Sequence, residues 1–335
     1  MKNTAIEKAG KMENLNEFLF RNNLLKRIEK ASWTPLAGGV SSDIWRVELP
    51  AKTICVKRAL ATLKVKADWQ APVERNNFEW EWFKFVHQNF PEIVPLPIAH
   101  DSKMQMLAME YLPPQDHKVW KTELLNGKTD AEFAGQVGNF LGKIHAASAF
   151  NAGIAKTFAT DALFYALRIE PYLLATAEKH PELAAPIKSA AEKTLATKIA
   201  LVHGDVSPKN ILIKRNSPIF LDAETAWYGD PAFDAAFCLN HLLLKAAFLP
   251  ELKAGCLECF RSFSSNYLNQ VNWEKAEEIE KRICSLLPVL YLARIDGKSP
   301  VEYISDEKLK DRIRQDARQF IIQPLVKLAN FENFF

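Results

Sequence analysis

The sequence predicts an α+β protein with two lobes, a first lobe built on an antiparallel five-stranded sheet and a second lobe that is mostly helical. Between Ser32 and Leu112 the apolar residues fall into short strand-like runs, interrupted by one helical stretch. Beyond the Pro113-Pro114 pair, seven segments place apolar residues at helical spacing. At 335 residues and 48% hydrophobic composition, the chain is long enough for two substantial cores.

The first lobe is predicted to follow a helical extension over residues 1–31. Glycines 38–39 and Pro50 separate three β-type runs, and a run that breaks at Pro113 marks the boundary between the lobes. The first lobe is therefore predicted over 32–112, and the second lobe over 113–335. The predicted elements before the boundary are a helix within 11–30, strands at 32–37, 44–49 and 53–57, a helix at 74–88 and two strands within 93–112.

The second lobe is predicted to be helical apart from three short strands around residues 201, 211 and 220. Its helices are predicted from the 3.6-residue periodicity of their apolar positions. They lie at 130–148, 161–178, 183–199, 232–248, 251–269, 273–294 and 306–328.

Charge and cysteine content limit the classes of protein to consider. A net charge of +3 gives no reason to expect nucleic acid or a membrane surface as a partner. The first residues lack the apolar core of a secretory signal, and no run approaches the roughly 18 apolar residues of a membrane span, so a cytoplasmic location is expected. The five cysteines, an odd number, are predicted to be reduced, and the Cys256–Cys259 pair is assigned no metal.

The most informative stretch surrounds His203-Gly-Asp205. An apolar strand precedes Asp205, Asn210 follows five residues later, and a second apolar strand ends at Asp222 and Glu224. A transferring phosphoryl group carries dense negative charge, so its transfer depends on positioning and on neutralisation by metal ions and cations. This spacing predicts that Asp205 accepts a proton from a hydroxyl group, while the Asn210 amide oxygen and one or both acids hold magnesium.

Two features of the first lobe fit phosphate binding. Gly38 and Gly39 lie between two strands, where a glycine-rich turn can bring backbone N–H groups close to phosphates, although such a pair is also an ordinary hairpin turn. Lys57 ends the strand-like run Ile54-Cys-Val-Lys, from which its ammonium could contact phosphates or simply reach solvent.

A cleft-facing Lys57 needs an acidic partner, and the helix predicted at 74–88 offers three. Glu79 is the preferred partner because it lies beside the apolar stripe through Phe78, Trp82, Phe85 and Val86. Glu81 is the next candidate, and Glu74 is interpreted as a residue that favours the helix N-terminus.

With Gly229-Asp-Pro and Asp234 downstream, the motif over 203–222 resembles the aminoglycoside phosphotransferase and choline kinase group, which is similar in fold to protein kinases. The resemblance spans about residues 32–300. It implies a bilobal protein-kinase-like fold and transfer of the ATP γ-phosphate to a hydroxyl of a small molecule, with ATP and Mg²⁺ as cofactors. Asp205 would position and deprotonate the acceptor, Asn210 and Asp222 would hold magnesium, and Lys57 with Glu79 would orient the phosphates.

The same resemblance implies further nucleotide contacts. Ser207 would contact the γ-phosphate, and backbone groups of Glu110 and Leu112 would bind adenine, with Met109 before them as the gatekeeping side chain. Protein kinases have Arg where this chain has Gly204 and Phe-Gly where it has Ala223-Glu224, which disfavours a protein substrate. The Asp222-Ala-Glu224 sequence is similar to the variant in methylthioribose kinases, in which Glu224 would be a second metal ligand.

Several alternatives stay open at this point. A catalytically weak, kinase-shaped binding protein and a kinase that acts on a protein partner are the competing functions. Trp227 and Tyr228 are interpreted either as aromatic walls for a cationic acceptor or as core residues. Asp234 is interpreted either as a helix cap or as an acid that hydrogen-bonds the catalytic loop. The acceptor, the use of GTP and the oligomeric state are not predicted.

Overall fold

The computed structural model describes residues 15–37, 41–62 and 72–334. The chain divides into two compact units, Met1–Pro113 and Pro114–Phe335. Gly38 and Gly39, and residues 11–14 of the predicted first helix, lie outside the described residues.

The first unit contains one five-stranded antiparallel sheet, as predicted. Its strands are β1 Ser32–Pro35, β2 Ser42–Glu48, β3 Thr53–Ala59, β4 Pro97–Asp101 and β5 Met106–Glu110. Their order in the sheet is β1-β2-β3-β5-β4, and each neighbouring pair is antiparallel. Strand β3 therefore lies at the centre of the sheet, paired on both sides, where alternate side chains face the core.

Helix α1 covers 15–21 among the described residues, so the prediction that it continues to residue 30 is wrong. Asn23 adopts a left-handed conformation with φ 55°. The N–H of Leu24 donates to the carbonyl of Leu19, and that of Asn23 to Phe20, a pair of bonds that closes a helix C-terminus. Helix α1 is also more than an extension, since Leu15, Phe18 and Leu19 are buried against sheet residues including Trp45, Val47, Ile54 and Val56.

Helix α2, Arg75–Asn89, lies near the start of the described range 72–334 and agrees with the helix predicted at 74–88. Trp82 and Val86 are buried as expected, whereas Phe78 and Phe85 are half-buried. The buried face instead includes Phe83 and the carboxylate-bearing Glu79. The apolar stripe is thus rotated relative to the prediction, with Glu79 inside it rather than beside it.

The second unit is mostly helical, and its long helices agree with the predicted segments. Four short elements were not predicted, namely the strands His117–Val119 and Trp227–Gly229 and the helices Trp120–Leu125 and Ala152–Thr157. The helices are α3 Trp120–Leu125, α4 Ala131–Ser148, α5 Ala152–Thr157, α6 Asp161–Phe164, α7 Ala175–Lys179, α8 Ala184–Ala196, α9 Ala232–Phe248, α10 Lys253–Leu268, α11 Ala276–Asp296 and α12 Glu307–Ile322.

The helix predicted at 161–178 is continuous but changes type along its length. Between α6 and α7, residues Tyr165–Leu174 form a π-helix that contains Pro171. Proline lacks a backbone N–H, so the regular α-helical bonding pattern cannot pass through this position. π-helical turns are rare and often occur at functional sites. The π-helix carries Arg168 and Tyr172.

Short strands carry the motif of the second unit. They are β6 His117–Val119, β7 Ala200–Val202, β8 Ile211–Lys214, β9 Ser217–Phe220 and β10 Trp227–Gly229. Strands β6, β8 and β9 form one small sheet, and β7 pairs with β10 in another. The loop 203–207 therefore follows β7, and residues 221–226 lead from β9 to β10, the partner strand of β7.

Helix α9 forms the centre of the core, because every residue from Ala232 to Ala246 is buried. Within the described part of the chain, no single helix is long and apolar enough to cross a membrane. Ala232–Phe248 and Pro250–Leu268 meet the length and composition requirement only as a pair, and they are bent by 119°.

Candidate active site

In the first unit, Lys57 and Glu79 form a buried ion pair. Lys57 Nζ on β3 lies 2.8 Å from Glu79 Oε1 on α2, and their side chains are only 4% and 1% exposed. Glu81, the alternative partner, instead pairs with Lys84 on the surface. Glu74 precedes α2 but makes no side-chain capping bond. The pair fixes the ammonium group at the centre of the sheet.

The residues predicted to contact adenine lie at the end of β5. Met109 is buried, and Glu110 is the last residue of the strand. The N–H of Glu110 donates to the carbonyl of Leu96 at 2.9 Å and so is not free to bind a base. Leu112 follows outside the strand, immediately before Pro113. Their role in binding stays a prediction.

In the second unit, Asp205 lies on the loop after β7 between two cations. Its Oδ2 is 3.2 Å from Arg168 Nη2 and 3.2 Å from Lys209 Nζ. Burial raises the pKa of Asp205, but Lys209 and Arg168 outweigh burial and the net pKa lies below its ordinary value. Asp205 is therefore an ionised carboxylate at neutral pH, able to accept a hydrogen bond from a hydroxyl group.

The loop backbone is held by Asp234. Its Oδ2 accepts a hydrogen bond from the N–H of His203 at 2.7 Å, and its Oδ1 accepts one from Gly204 at 2.8 Å. His145 Nε2 lies 3.3 Å from the same carboxylate. Asp234 lies in the first turn of α9 and accepts hydrogen bonds from the loop that carries Asp205. This agrees with its interpretation as an acid that hydrogen-bonds the loop rather than as a helix cap.

Gly204 allows the turn that this loop makes. Its φ is +79°, and a Cβ atom there would lie 2.6 Å from Thr225 Oγ1 and 2.7 Å from the Thr225 carbonyl oxygen. Both the backbone conformation and the lack of space require glycine. The need for glycine at position 204, where protein kinases have Arg, therefore has a local steric cause.

His203 connects the loop to the strand that precedes Asp222. Its Nδ1 accepts a hydrogen bond from the N–H of Asp205 at 3.1 Å, so Nε2 carries the proton that is donated to the carbonyl of Leu221 at 3.1 Å. Burial lowers the pKa of His203, against the effect of the nearby acids, which agrees with a neutral ring. His203 acts as a positioning residue between the two predicted catalytic segments.

Asn210 and Ser207 are fixed close to Asp205. Asn210 Nδ2 donates to the Asp205 carbonyl at 3.1 Å, which leaves Oδ1 as the acceptor end of the amide. The carbonyl of Asn210 accepts the N–H of Leu221 at 2.9 Å and so joins the loop to the Asp222 segment. Ser207 Oγ is buried and has no hydrogen-bond partner within the described residues, a group that a phosphate oxygen would satisfy.

Asp222 and Glu224 follow β9 in a strained turn. Asp222 has φ 66°, a left-handed conformation that is uncommon outside glycine and is enriched at functional sites. Glu224 is buried, at 8% exposure. Across the described ranges, no three His, Cys, Asp or Glu side chains form a metal site. The oxygen donors of Asn210, Asp222 and Glu224 nevertheless suit magnesium, which usually retains water and phosphate ligands beside one or two carboxylates.

Sequence reasoning missed two of the groups around Asp205. Lys209 was visible within the motif, four residues after Asp205, but its charge was not considered. Arg168 is 37 residues upstream in the π-helix, and its Nε also donates to the Gly204 carbonyl. No local sequence pattern connects the two sites.

The aromatic pair Trp227 and Tyr228 belongs to the core. Trp227 is fully buried and stacks on Phe164 with ring centroids 4.1 Å apart, while Lys198 Nζ lies 4.0 Å from its ring centroid. Tyr228 is 7% exposed and donates to the carbonyl of Ile199. The interpretation of these rings as walls for a cationic acceptor is not supported.

The five cysteines are buried, free thiols. Burial raises the pKa of Cys256 to about 11 and that of Cys259 to about 12, so both remain protonated at neutral pH.

The fold is of the protein-kinase-like class, which confirms the fold predicted from sequence. A choline kinase from Cryptosporidium parvum matches with a TM-score of 0.57 at 14% identity, over 93% of this chain and 97% of that one. An ethanolamine kinase from Plasmodium vivax matches with a TM-score of 0.55 at 13% identity, over 91% and 85% of the two chains. At these identities the likeness concerns the fold.

The chain belongs to the phosphotransferase enzyme family, whose model matches residues 32–258. Among curated proteins, the methylthioribose kinase of Yersinia enterocolitica is 25% identical over 228 residues, which are 59% of this chain and 56% of that protein. The methylthioribose kinase of Pectobacterium atrosepticum is 25% identical over 231 residues, 60% and 56% of the two chains. The chain thus spans about half the length of the curated relatives it matches. The resemblance stated from the motifs is confirmed.

Proposed function

We propose that this protein is an ATP-dependent phosphotransferase that moves the γ-phosphate to a hydroxyl of a small polar metabolite. The observation that carries the proposal is the ionised Asp205, held on a braced loop that also positions Asn210 and joins it to the Asp222 segment. Family membership and the similarity to methylthioribose kinases support the same reaction class.

In the proposed reaction, the acceptor hydroxyl donates a hydrogen bond to Asp205 and its oxygen attacks the γ-phosphorus. The new O–P bond forms as the bond from the γ-phosphorus to the bridging oxygen of ADP breaks. The hydroxyl proton passes to the carboxylate. A carboxylate with a lowered pKa is a weak base, but phosphoryl transfer needs little proton abstraction before the transition state. The principal role of Asp205 is therefore to orient the hydroxyl.

Magnesium would be held by Asn210 Oδ1, Asp222 and Glu224. When bound, it would neutralise the charge of the phosphate oxygens. Ser207 Oγ, buried without a partner within the described residues, would donate to a phosphate oxygen. In the first unit, the Lys57 ammonium, oriented by Glu79, would contact the nucleotide phosphates. A cytoplasmic location and the absence of nucleic acid and membrane partners remain part of the proposal.

The test is magnesium-dependent phosphate transfer from ATP to a panel of hydroxyl compounds. The panel contains methylthioribose, ribose, glycerate, choline, ethanolamine, homoserine and an aminoglycoside. Product formation with one compound, lost in Asp205→Asn and retained in the surface control Asp311→Asn, supports the proposal. ATP binding without transfer to any compound would favour the non-catalytic, kinase-shaped alternative.

A further inference from the structure

Helices α3, α9 and α11 bring four basic side chains together in the second unit. We call Lys121, His241, Lys245 and Arg294 the basic cluster. Lys245 is 1% exposed and Arg294 is 9% exposed, whereas the Lys121 side chain, at 26%, lies closer to the surface. Buried cations normally have a carboxylate partner, because removing a charge from water is costly.

Among the residues that the structure describes, the two buried cations Lys245 and Arg294 lack such a partner. The hydrogen bond of Lys245 Nζ is a long one, 3.4 Å, to the carbonyl of His241 in the same helix. Arg294 Nη1 donates to neutral groups, the Tyr172 hydroxyl at 3.3 Å and Ser299. Within the described ranges, neither Lys245 nor Arg294 has a carboxylate within ion-pair distance. The acid at the edge of the cluster is Glu302, which is 67% exposed and pairs with Lys121.

Two buried polar atoms, one in the basic cluster and one beside it, also lack hydrogen-bond partners among the described residues. They are Arg294 Nε and the hydroxyl oxygen of Tyr303. Tyr303 lies next to the lysines, with the Nζ atoms of Lys245 and Lys121 5.3 and 5.9 Å from its ring centroid. A buried guanidinium N–H and a buried hydroxyl can each donate a hydrogen bond to an oxyanion.

The electrostatic effects agree with an uncompensated positive charge. Burial, followed by Lys121, lowers the pKa of Lys245 to about 8. Burial, followed by Arg294 and Lys245, places the pKa of His241 well below its usual value. Such a cluster costs stability, and strained electrostatics of this kind concentrate at functional sites.

The cluster adjoins the catalytic loop within the same unit. The guanidinium carbons of Arg168 and Arg294 lie 5.7 and 5.6 Å from the centroid of the Tyr172 ring. Arg168 also lies 5.8 Å from the Phe237 ring, whose centroid is 5.6 Å from that of His241. Since Arg168 binds Asp205 and Arg294 belongs to the basic cluster, Tyr172 contacts both the cluster and the arginine of the proposed catalytic carboxylate.

We propose that the basic cluster binds an anionic group, a carboxylate or a phosphate, of the acceptor whose hydroxyl lies at Asp205. This inference rests on the proposed function and narrows the acceptor to hydroxy acids and phosphorylated hydroxyl compounds. A quaternary ammonium or an aminoglycoside would meet like charge here, and a neutral sugar would leave the buried cations without a counter-ion.

The experiment compares matched pairs of compounds by isothermal titration calorimetry. Glycerate is compared with glycerol and ribose 5-phosphate with ribose, so that the two pairs separate a carboxylate from a phosphate ligand. Magnesium and ADP are present throughout to occupy the nucleotide site. The variants are Lys245→Met and Arg294→Met, and Lys281→Met on the surface of α11 is the control. Thermal denaturation establishes that each variant is folded.

At least one anionic compound is expected to bind at least tenfold more tightly than its neutral counterpart. Lys245→Met should abolish that preference while remaining folded, Arg294→Met should weaken it, and Lys281→Met should retain it. Equal affinity within both pairs, or a preference that survives Lys245→Met and Arg294→Met, would overturn the inference. Anion preference without phosphate transfer would support the anion site and refute the proposed function. Transfer to neutral compounds with no anion preference would support the proposed function and refute the anion site.

Discussion

The Arg168 guanidinium lies 3.2 Å from the carboxylate of Asp205, although Arg168 precedes Asp205 by 37 residues in the chain. Arg168 reaches Asp205 from a π-helix, and its Nε bonds the carbonyl of Gly204 in the same loop. One planar side chain therefore binds both the backbone and the charged group of the loop 203–207. A guanidinium can do this because its donors form a rigid fork.

Arg168→Gln should lower turnover about 10- to 100-fold, since hydrogen bonds to charged groups are worth about 1.5–3 kcal/mol. Arg168→Lys keeps the charge but not the fork, so it should recover only part of the loss. Steady-state kinetics with the best acceptor of the panel would measure both variants. Arg318→Gln, which removes an exposed arginine paired with Glu182, is the control and should be nearly unchanged. Equal activity of Arg168→Gln and the control would contradict the positioning role.

Glu79→Ala should destabilise the first unit by about 3–5 kcal/mol, because it removes the carboxylate from a buried ammonium. Glu81→Ala is the matched control on the same helix. Glu81 pairs with Lys84 on the surface, so its loss should cost about 0–1 kcal/mol. Urea denaturation measures both. ATP affinity should fall with Glu79→Ala alone, and a similar loss in both variants would contradict the proposed role of the buried pair.

Lys245 should make stability depend on pH in the alkaline range. Burial and the neighbouring cations lower its pKa from the ordinary 10.5 to about 8 in the folded protein. Below pH 8 both states hold the proton and the full penalty is present, about 3 kcal/mol from the difference in pKa. Between pH 8 and 10.5 the unfolded state binds more protons, so the penalty is relieved as pH rises.

The measurement is the free energy of unfolding of wild type and Lys245→Met from pH 7 to 10.5. The advantage of the methionine variant should be largest near pH 7 and should shrink as pH rises through 8. A constant difference would show that Lys245 titrates normally. The charged and titratable groups around its ammonium come from four elements, namely Lys121 of α3, Cys238 and His241 of α9, Cys256 of α10 and Arg294 of α11, with Tyr303 beside them.

Asp222→Ala and Glu224→Ala should both raise the magnesium concentration needed for half-maximal activity. Mutation of groups that only support metal ligands typically costs about 10- to 100-fold in metal affinity, and a direct ligand should cost at least as much. A magnesium titration at saturating ATP measures the shift, with the exposed Glu278→Ala as control. If Glu224→Ala behaves like the control, Glu224 is not a second ligand.

The sequence predicted the fold well where periodicity was strong. The five strands and the long helices follow from alternating and 3.6-residue patterns that burial imposes. The first helix was predicted too long because Asn22-Asn23 was not recognised as its end, although a left-handed Asn closes the helix there. The π-helix was missed because its apolar periodicity resembles that of an α-helix and only Pro171 marks the change.

The candidate site could be predicted only in part. The spacing of His203, Asp205, Asn210 and Asp222 is local, so the loop was visible in the sequence. Which acid pairs with Lys57 depends on which face of α2 is buried. The sequence alone did not decide this between Glu79 and Glu81. The cations around the loop depend on long-range packing, and Arg168 and Lys245 therefore came to light only in three dimensions.

The most direct test of the proposed function is single-turnover transfer of the ATP γ-phosphate by wild type and Asp205→Asn, with ATP affinity measured on the same samples. Because an amide neither orients the hydroxyl as a charged acceptor nor takes up its proton, the variant should lose transfer by about 100- to 10,000-fold, the range typical of residues that accept a proton in the reaction. Its affinity for ATP should stay close to that of wild type. Full transfer by Asp205→Asn would contradict the account, since the hydroxyl would then be oriented by another group.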